Sequence, residues 1–165
     1  MSIYAVIFVI LSSVASSCPH VRSNGDPAVA SLIEEASRAS ATFRQLVAAI
    51  DRTNGLVYVE PGTCRHGVHA CLTLSVKVAG PHRILRILLD LHRELSELIG
   101  ALGHELQHAL ELLGDLRVTN TPAAYLFYAQ IAPTATGRFE TEAAIRTGLQ
   151  VEREVRAARG TKGQP

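Results

Sequence analysis

The stretch Leu91–Gly114 reads LHRELSELIGALGHELQHALELLG. Its apolar residues Leu95, Leu98, Ile99, Leu102, Leu106, Ala109, Leu110 and Leu113 recur three or four positions apart. An α-helix turns once in about 3.6 residues, so this spacing lines them up on one side. The helix is predicted from about Leu91 to Leu113, stopping at Gly114, since glycine readily takes the left-handed conformation that closes many helices. An apolar stripe of this length must be covered by other parts of the chain.

The preceding segment has a different period. Leu56-Val57-Tyr58-Val59 is strand-like and is closed by Pro61-Gly62. From Ala70 to Val78 the chain alternates, with Leu72, Leu74, Val76 and Val78 on one face and Thr73, Ser75 and Lys77 on the other. Ala79-Gly80-Pro81 makes a turn, and Arg83–Leu89 is a third β candidate. Three strands with short connections predict a small, antiparallel-leaning sheet. Asp26-Pro27 looks like a helix cap followed by a first-turn proline. Val29, Leu32, Ile33, Ala36, Phe43, Leu46, Val47 and Ile50 then predict one long helix or two short ones, ending near Asn54-Gly55. Downstream, Thr121-Pro122 begins a short helix to about Ile131, and Phe139–Arg159 is a final amphipathic helix. The expected fold class is therefore α+β: a sheet of about three strands packed with the Leu91–Leu113 helix and flanking helices. Residues 27–160 form one domain in this reading, with 18–26 an exposed leader and 161–165 a polar tail.

The chain has 165 residues, enough for one domain with a hydrophobic core. Lys and Arg number 16 against 15 Asp and Glu, so no basic excess exists to track phosphates, and nucleic acid is not an expected partner. Residues 1–17 have the order of parts of a secretory signal: an apolar run from Ile3 to Leu11, then a small-residue tail ending Ala15-Ser16-Ser17, although no Lys or Arg precedes the run. The expected setting is export, periplasmic or secreted. The residues before Cys18 loosely resemble a bacterial lipoprotein box, which makes Cys18 a candidate lipid anchor. Cys64 and Cys71 then remain as a pair compatible with a disulfide around a tight loop, two reduced thiols being the alternative.

Within the central helix stands Gly103-His104-Glu105-Leu106-Gln107-His108-Ala109. Side chains four apart lie one above the other on a helix, so His104 and His108 can grip one metal ion without bending the backbone. Glu105 points about 100° around the axis, beside such an ion, where a general base can take a proton from water. This is the His-Glu-x-x-His motif. With 7 His in the chain, its chance occurrence is roughly 0.02, and its helical context is read independently from the apolar stripe.

The segment resembles the active-site helix of the zincins, in which a sheet precedes a helix bearing this motif. The likeness covers roughly residues 56–113. The metzincin pattern would need Gly at 111 and His at 114; Glu111 and Gly114 stand there, which favours the gluzincin pattern. That pattern takes its third ligand, a Glu, from a later helix. Glu140, in Arg138-Phe139-Glu140-Thr141-Glu142, is the first candidate, with Glu142 and Glu111 as alternatives. Gly-His-Glu-Leu-Gln-His-Ala with a later Phe-Glu-Thr also resembles a group of small bacterial proteins of zincin character. The resemblance implies Zn²⁺ on His104, His108 and Glu140, Glu105 as general base, and a peptide or protein substrate. By the same analogy the Arg83–Leu89 strand would offer its edge to an extended peptide. The alternative function is an exported binding or structural domain whose zinc is not catalytic.

Other candidates are weaker. Cys64, His66, His69 and Cys71 could make a second zinc site, but their spacing matches no zinc pattern, and a disulfide-closed loop is the better reading. Tyr125 and Tyr128 could bring a phenol to the metal, with core packing as the default.

Overall fold

The computed structural model describes residues 18–64, 67–132 and 139–160. The expected signal segment, His66 and the 161–165 tail lie outside these residues. The fold is α+β. Its elements run β1 (Val21–Arg22), α1 (Pro27–Ala39), α2 (Ala41–Asp51), β2 (Gly55–Pro61), β3 (Ala70–Ala79), β4 (His82–Leu89), α3 (Leu95–Gly114), α4 (Thr121–Ile131) and α5 (Glu142–Gly160). Among the described residues no helix is long and apolar enough to cross a membrane.

The sheet has strand order β1-β2-β4-β3 and is mixed, which corrects the antiparallel expectation. β3 and β4 form an antiparallel hairpin, while β1 with β2 and β2 with β4 are parallel. The reason lies in the reversals. β3 runs opposite to β2, and β4 reverses again, so a β4 inserted between them must lie parallel to β2. β4 takes that interior place because His-Arg-Ile-Leu-Arg-Ile-Leu-Leu buries Leu85, Ile87 and Leu89. β3 carries Thr73, Ser75 and exposed Lys77, and its register slips between Thr73 and Lys77. Lysines and bulges are characteristic of edge strands. β3 is thus an edge of the sheet and Arg83–Leu89 an interior strand paired on both sides, which corrects the expectation that the latter has a free edge to offer.

The leader is also corrected. Val21 and Arg22 pair with Val57 and Tyr58, and Val21 is buried. A two-residue strand is too short to show a period. The turn that follows it places Asn24 and Gly25 at φ of 49° and 85°.

Ser40 decides between one N-terminal helix and two. Its backbone is extended, closing α1, and its hydroxyl accepts from Phe43 N to start α2. Asp26 caps α1 by accepting from Val29 N at 2.9 Å. The central helix starts four residues later than its apolar pattern suggests, because the Glu94 carboxylate accepts from the Ser96 and Glu97 amides and caps it there. Its far end is held by Arg83, a buried guanidinium reaching from β4. Arg83 donates to the carbonyls of Leu112, Leu113, Asp115 and Val118, and to Asn54 Oδ1. Burial lowers the Arg83 pKa and the Asp115 charge opposes that fall. Four of these bonds reach carbonyls in the last turn of α3 or just beyond it, where a helix end leaves carbonyls without intrahelical partners.

α5 is tied to the α1–α2 junction through Glu154. Its carboxylate accepts from Ser40 Oγ (2.6 Å), Thr42 Oγ1 (2.7 Å), Thr42 N (3.0 Å) and Gln150 Nε2 (2.8 Å). Burial pushes its pKa up, but the bonds from Ser40, Gln150 and Thr42 outweigh it and hold the group at about 2. An unfolded glutamate titrates at about 4.3. The contribution to stability is therefore complete above that value and lost as pH falls towards 2. After allowance for solvent screening it amounts to about 1–2 kcal/mol. Urea denaturation of wild type and Glu154→Gln at pH 5 and pH 2.5 should show the stability gap between them closing at the lower pH; a gap that stays constant would mean the carboxylate does not act through its charge.

Candidate metal centre

The site starts from helix geometry. On α3, His104 and His108 project from one face with ring centroids 4.7 Å apart and planes at 79°. His108 is buried, and its Nδ1 lies 3.0 Å from Glu111 Oε2. A carboxylate there fixes the proton on Nδ1, which leaves the Nε2 lone pair free. That Nε2 is buried and has no hydrogen-bond partner. His104 Nε2 stands 3.1 Å from Glu140 Oε2, and His108 Nε2 stands 4.0 Å from the same oxygen. One donor atom from each of His104, His108 and Glu140 lies within 4.8 Å of the others.

Glu140 reaches the histidines from the chain just ahead of α5. Its sequence reading put it inside the helix; the helix instead begins at Glu142, with Thr141 Oγ1 accepting from Ala144 N at 3.1 Å. Thr141 also donates to Glu111 Oε1 (2.7 Å), and Phe139 stacks on Tyr128 with centroids 5.5 Å apart. Both neighbours of Glu140 are thereby pinned. The two alternatives go elsewhere. Glu142 is exposed and pairs with Arg146 one turn along α5. Glu111 is spent on His108 and Thr141.

The close meeting of α3 and α5 makes this reach possible. A Cβ on Gly148 would stand 3.0 Å from His104 Cβ and 3.1 Å from the Gly100 carbonyl oxygen; one on Gly100 would stand 2.8 Å from Glu152 Cβ. Gly103 faces Val151 equally tightly, at 3.0 Å. Only glycine allows the helices this near.

Charge at the site is unbalanced. Burial, then the neighbouring His108, lower the His104 pKa against the pull of Glu140 and Glu111, so this imidazole is neutral near pH 7, as a ligand must be. Burial raises Glu111, but bonds from His108 and Thr141 overcome it and keep it ionised. Glu105 accepts from Leu72 N on β3 at 2.7 Å. Burial pushes Glu105 up to about 7, with His108 and the Leu72 amide opposing and Glu140 adding to the rise. No Lys or Arg is among the described residues lining the cleft around these groups. An unpaired buried imidazole nitrogen, two nitrogens and an oxygen converging, and uncompensated carboxylates together fit a divalent cation. The donor set suits zinc, and imidazole also binds other first-row ions.

Of the other candidates, Tyr128 is buried and donates its hydroxyl to the His108 carbonyl at 2.7 Å, so it braces α3. Its pKa is raised by burial and by the Glu111 and Glu105 charges, so it stays protonated. Tyr125 is exposed and packs edge-on against Phe139. Cys64 and Cys71 form a disulfide, and Cys18 is exposed and unpaired. His69 lines the cleft, and its Nδ1 is buried without a partner. Sequence reasoning quoted Phe139 and Thr141 in the Phe-Glu-Thr stretch but gave neither a role, because their parts depend on contacts across elements. No family model, curated protein or solved structure gives a significant match to the chain.

Gly148→Val should lower stability by about 1–3 kcal/mol through overpacking and weaken zinc binding by moving the Glu140 segment. Urea denaturation and a competitive zinc titration measure the two effects; a destabilised variant with wild-type zinc affinity would show that helix spacing does not place Glu140.

Proposed function

We propose that the protein is a zinc-dependent hydrolase, a zincin-like peptidase in which His104, His108 and Glu140 hold the ion and Glu105 is the general base. The observation carrying this reading is the buried, unpartnered Nε2 of His108, set by Glu111 to face Glu140 and His104 in the cleft that also holds Glu105. A bound zinc supplies Lewis acidity, polarising a carbonyl and making water acidic enough to lose a proton near neutral pH.

The chain's own residues do the rest. Glu105, poised at about 7, takes a proton from water and passes it to the leaving amine, so one water is consumed and the peptide bond becomes a carboxylate and an amine. The Leu72 amide holds Glu105 Oε2, leaving the other carboxylate oxygen for that exchange. Glu111 keeps the His108 ring in its ligating tautomer. β3 is the sheet edge beside Glu105, the position at which an extended peptide would add as a further strand. The Cys64–Cys71 disulfide supports an exported setting, since such bonds persist in oxidising compartments.

Glu105→Gln should keep one zinc per chain by metal analysis and lose peptide cleavage by roughly 10²- to 10⁴-fold. Glu140→Gln should weaken zinc binding, whereas Glu142→Gln should leave it unchanged. Wild type that takes up zinc stoichiometrically yet cleaves nothing in a broad peptide library would remove the catalytic reading.

A further inference from the structure

α5 has two apolar faces. Ala144, Gly148, Val151 and Val155 are buried, and Gly148 and Val151 sit directly against α3. Ile145 and Leu149, one turn apart, are 44% and 55% exposed. They add little to the core, yet both line the cleft of about 750 Å³ that holds His104 and Glu105. Leu72 and Leu74 of β3, both half-buried, line it too, and Val68 is exposed at its rim. The charged groups among its described lining residues are Glu105, Glu140 and Glu152, and Glu152 is paired with Arg156.

We propose that the Ile145–Leu149 stripe is the specificity pocket of this site, taking a large aliphatic or aromatic side chain of a peptide substrate next to the bond that is cut. The inference rests on the peptidase reading above. Three observations select this occupant. β3 is an edge strand that lines the cleft, and a chain added to it as a further strand would be extended and would turn alternate side chains to opposite sides. The stripe is continuous with the site through Gly148, which touches His104. The carboxylates around it repel acidic side chains; with Glu140 on the ion and Glu105 serving as the base, Glu152 is the remaining one, and Arg156 already engages it, which leaves no free carboxylate for a basic side chain.

The test uses the zinc-loaded full chain and four peptide hydroxamates that differ only in the side chain beside the metal-binding group: Leu, Phe, Asp and Lys. Calorimetric binding should favour the Leu and Phe compounds by roughly ten- to a hundred-fold over the other two, the gain expected from burying one large apolar side chain. Leu149→Lys, a change at an exposed position, should bring the Leu and Lys compounds near parity while one zinc per chain is retained. Equal or absent binding of all four by zinc-loaded wild type overturns the pocket and leaves the metal reading standing. Wild type that takes up no zinc overturns the metal reading, and the pocket with it. A wild-type dimer in sedimentation that Leu149→Lys dissociates assigns the stripe to a second copy of the chain and also overturns the pocket.

Discussion

Backbone-to-backbone packing of α3 on α5 is the constraint on which the site depends. Gly100 and Gly148 let the two backbones approach directly, and Gly103 makes room for Val151, so the start of α5 lands beside the histidine face of α3. Glu140 precedes α5 by only two residues, and its reach is set by where that helix begins. Thr141 fixes the start by capping Ala144, and the same hydroxyl donates to Glu111. One carboxylate therefore joins the orientation of His108 to the position of the Glu140 segment. Metal sites commonly use such a partner to hold a ligand ring.

The far ends of α3 are anchored with equal care. Glu94 sets its first turn, Arg83 takes up its last carbonyls, and Tyr128 bonds a carbonyl in between. For an imidazole pair to hold an ion, as proposed above, its helix must be fixed to a fraction of an ångström, and these anchors would do so. Arg83 reaches α3 from β4, the strand at the middle of the sheet, so the sheet holds the helix axially while α5 holds it laterally. The guanidinium has lost its water but gained five partners, and a buried donor with partners is far cheaper than orphaned carbonyls.

The parts of this arrangement that were legible in the sequence are those governed by local periodicity. The stripe on Leu91–Leu113 and the four-residue spacing of His104 and His108 follow from helix geometry alone. The Cys64–Cys71 loop and the Asp26-Pro27 cap are similarly local. What was not legible depends on partners distant in sequence. β1 is two residues long and exists because Val57 and Tyr58 accept it. The mixed sheet arises from β4 outcompeting β3 for the interior place, a comparison that no single strand displays. Arg83 read as an ordinary strand residue, because its acceptors lie about thirty residues away, at the end of another element. The start of α5 was misplaced since Phe139 and Glu140 suit a helix by composition, while Phe139 is occupied by Tyr128.

These contacts also bear on whether a metal here would serve the fold or the chemistry. Structural zinc sites are closed by four protein ligands and commonly hold together domains too small to fold without them. This centre offers three donors, and Glu140, the third, is about half exposed on the wall of an open cleft. The chain also has a continuous apolar core, which includes Phe43, Ile50, Val57, Ile87, Leu102 and Leu112. Glu105 adds a point that a purely structural site would not need. Its carboxylate is buried beside the three donors, bonded to the Leu72 amide but to no cationic side chain, an environment that costs stability and accords with the proton-transfer role proposed above. Under the proposed function, three protein donors leave one coordination position open and Glu105 stands where it would serve that position as a base.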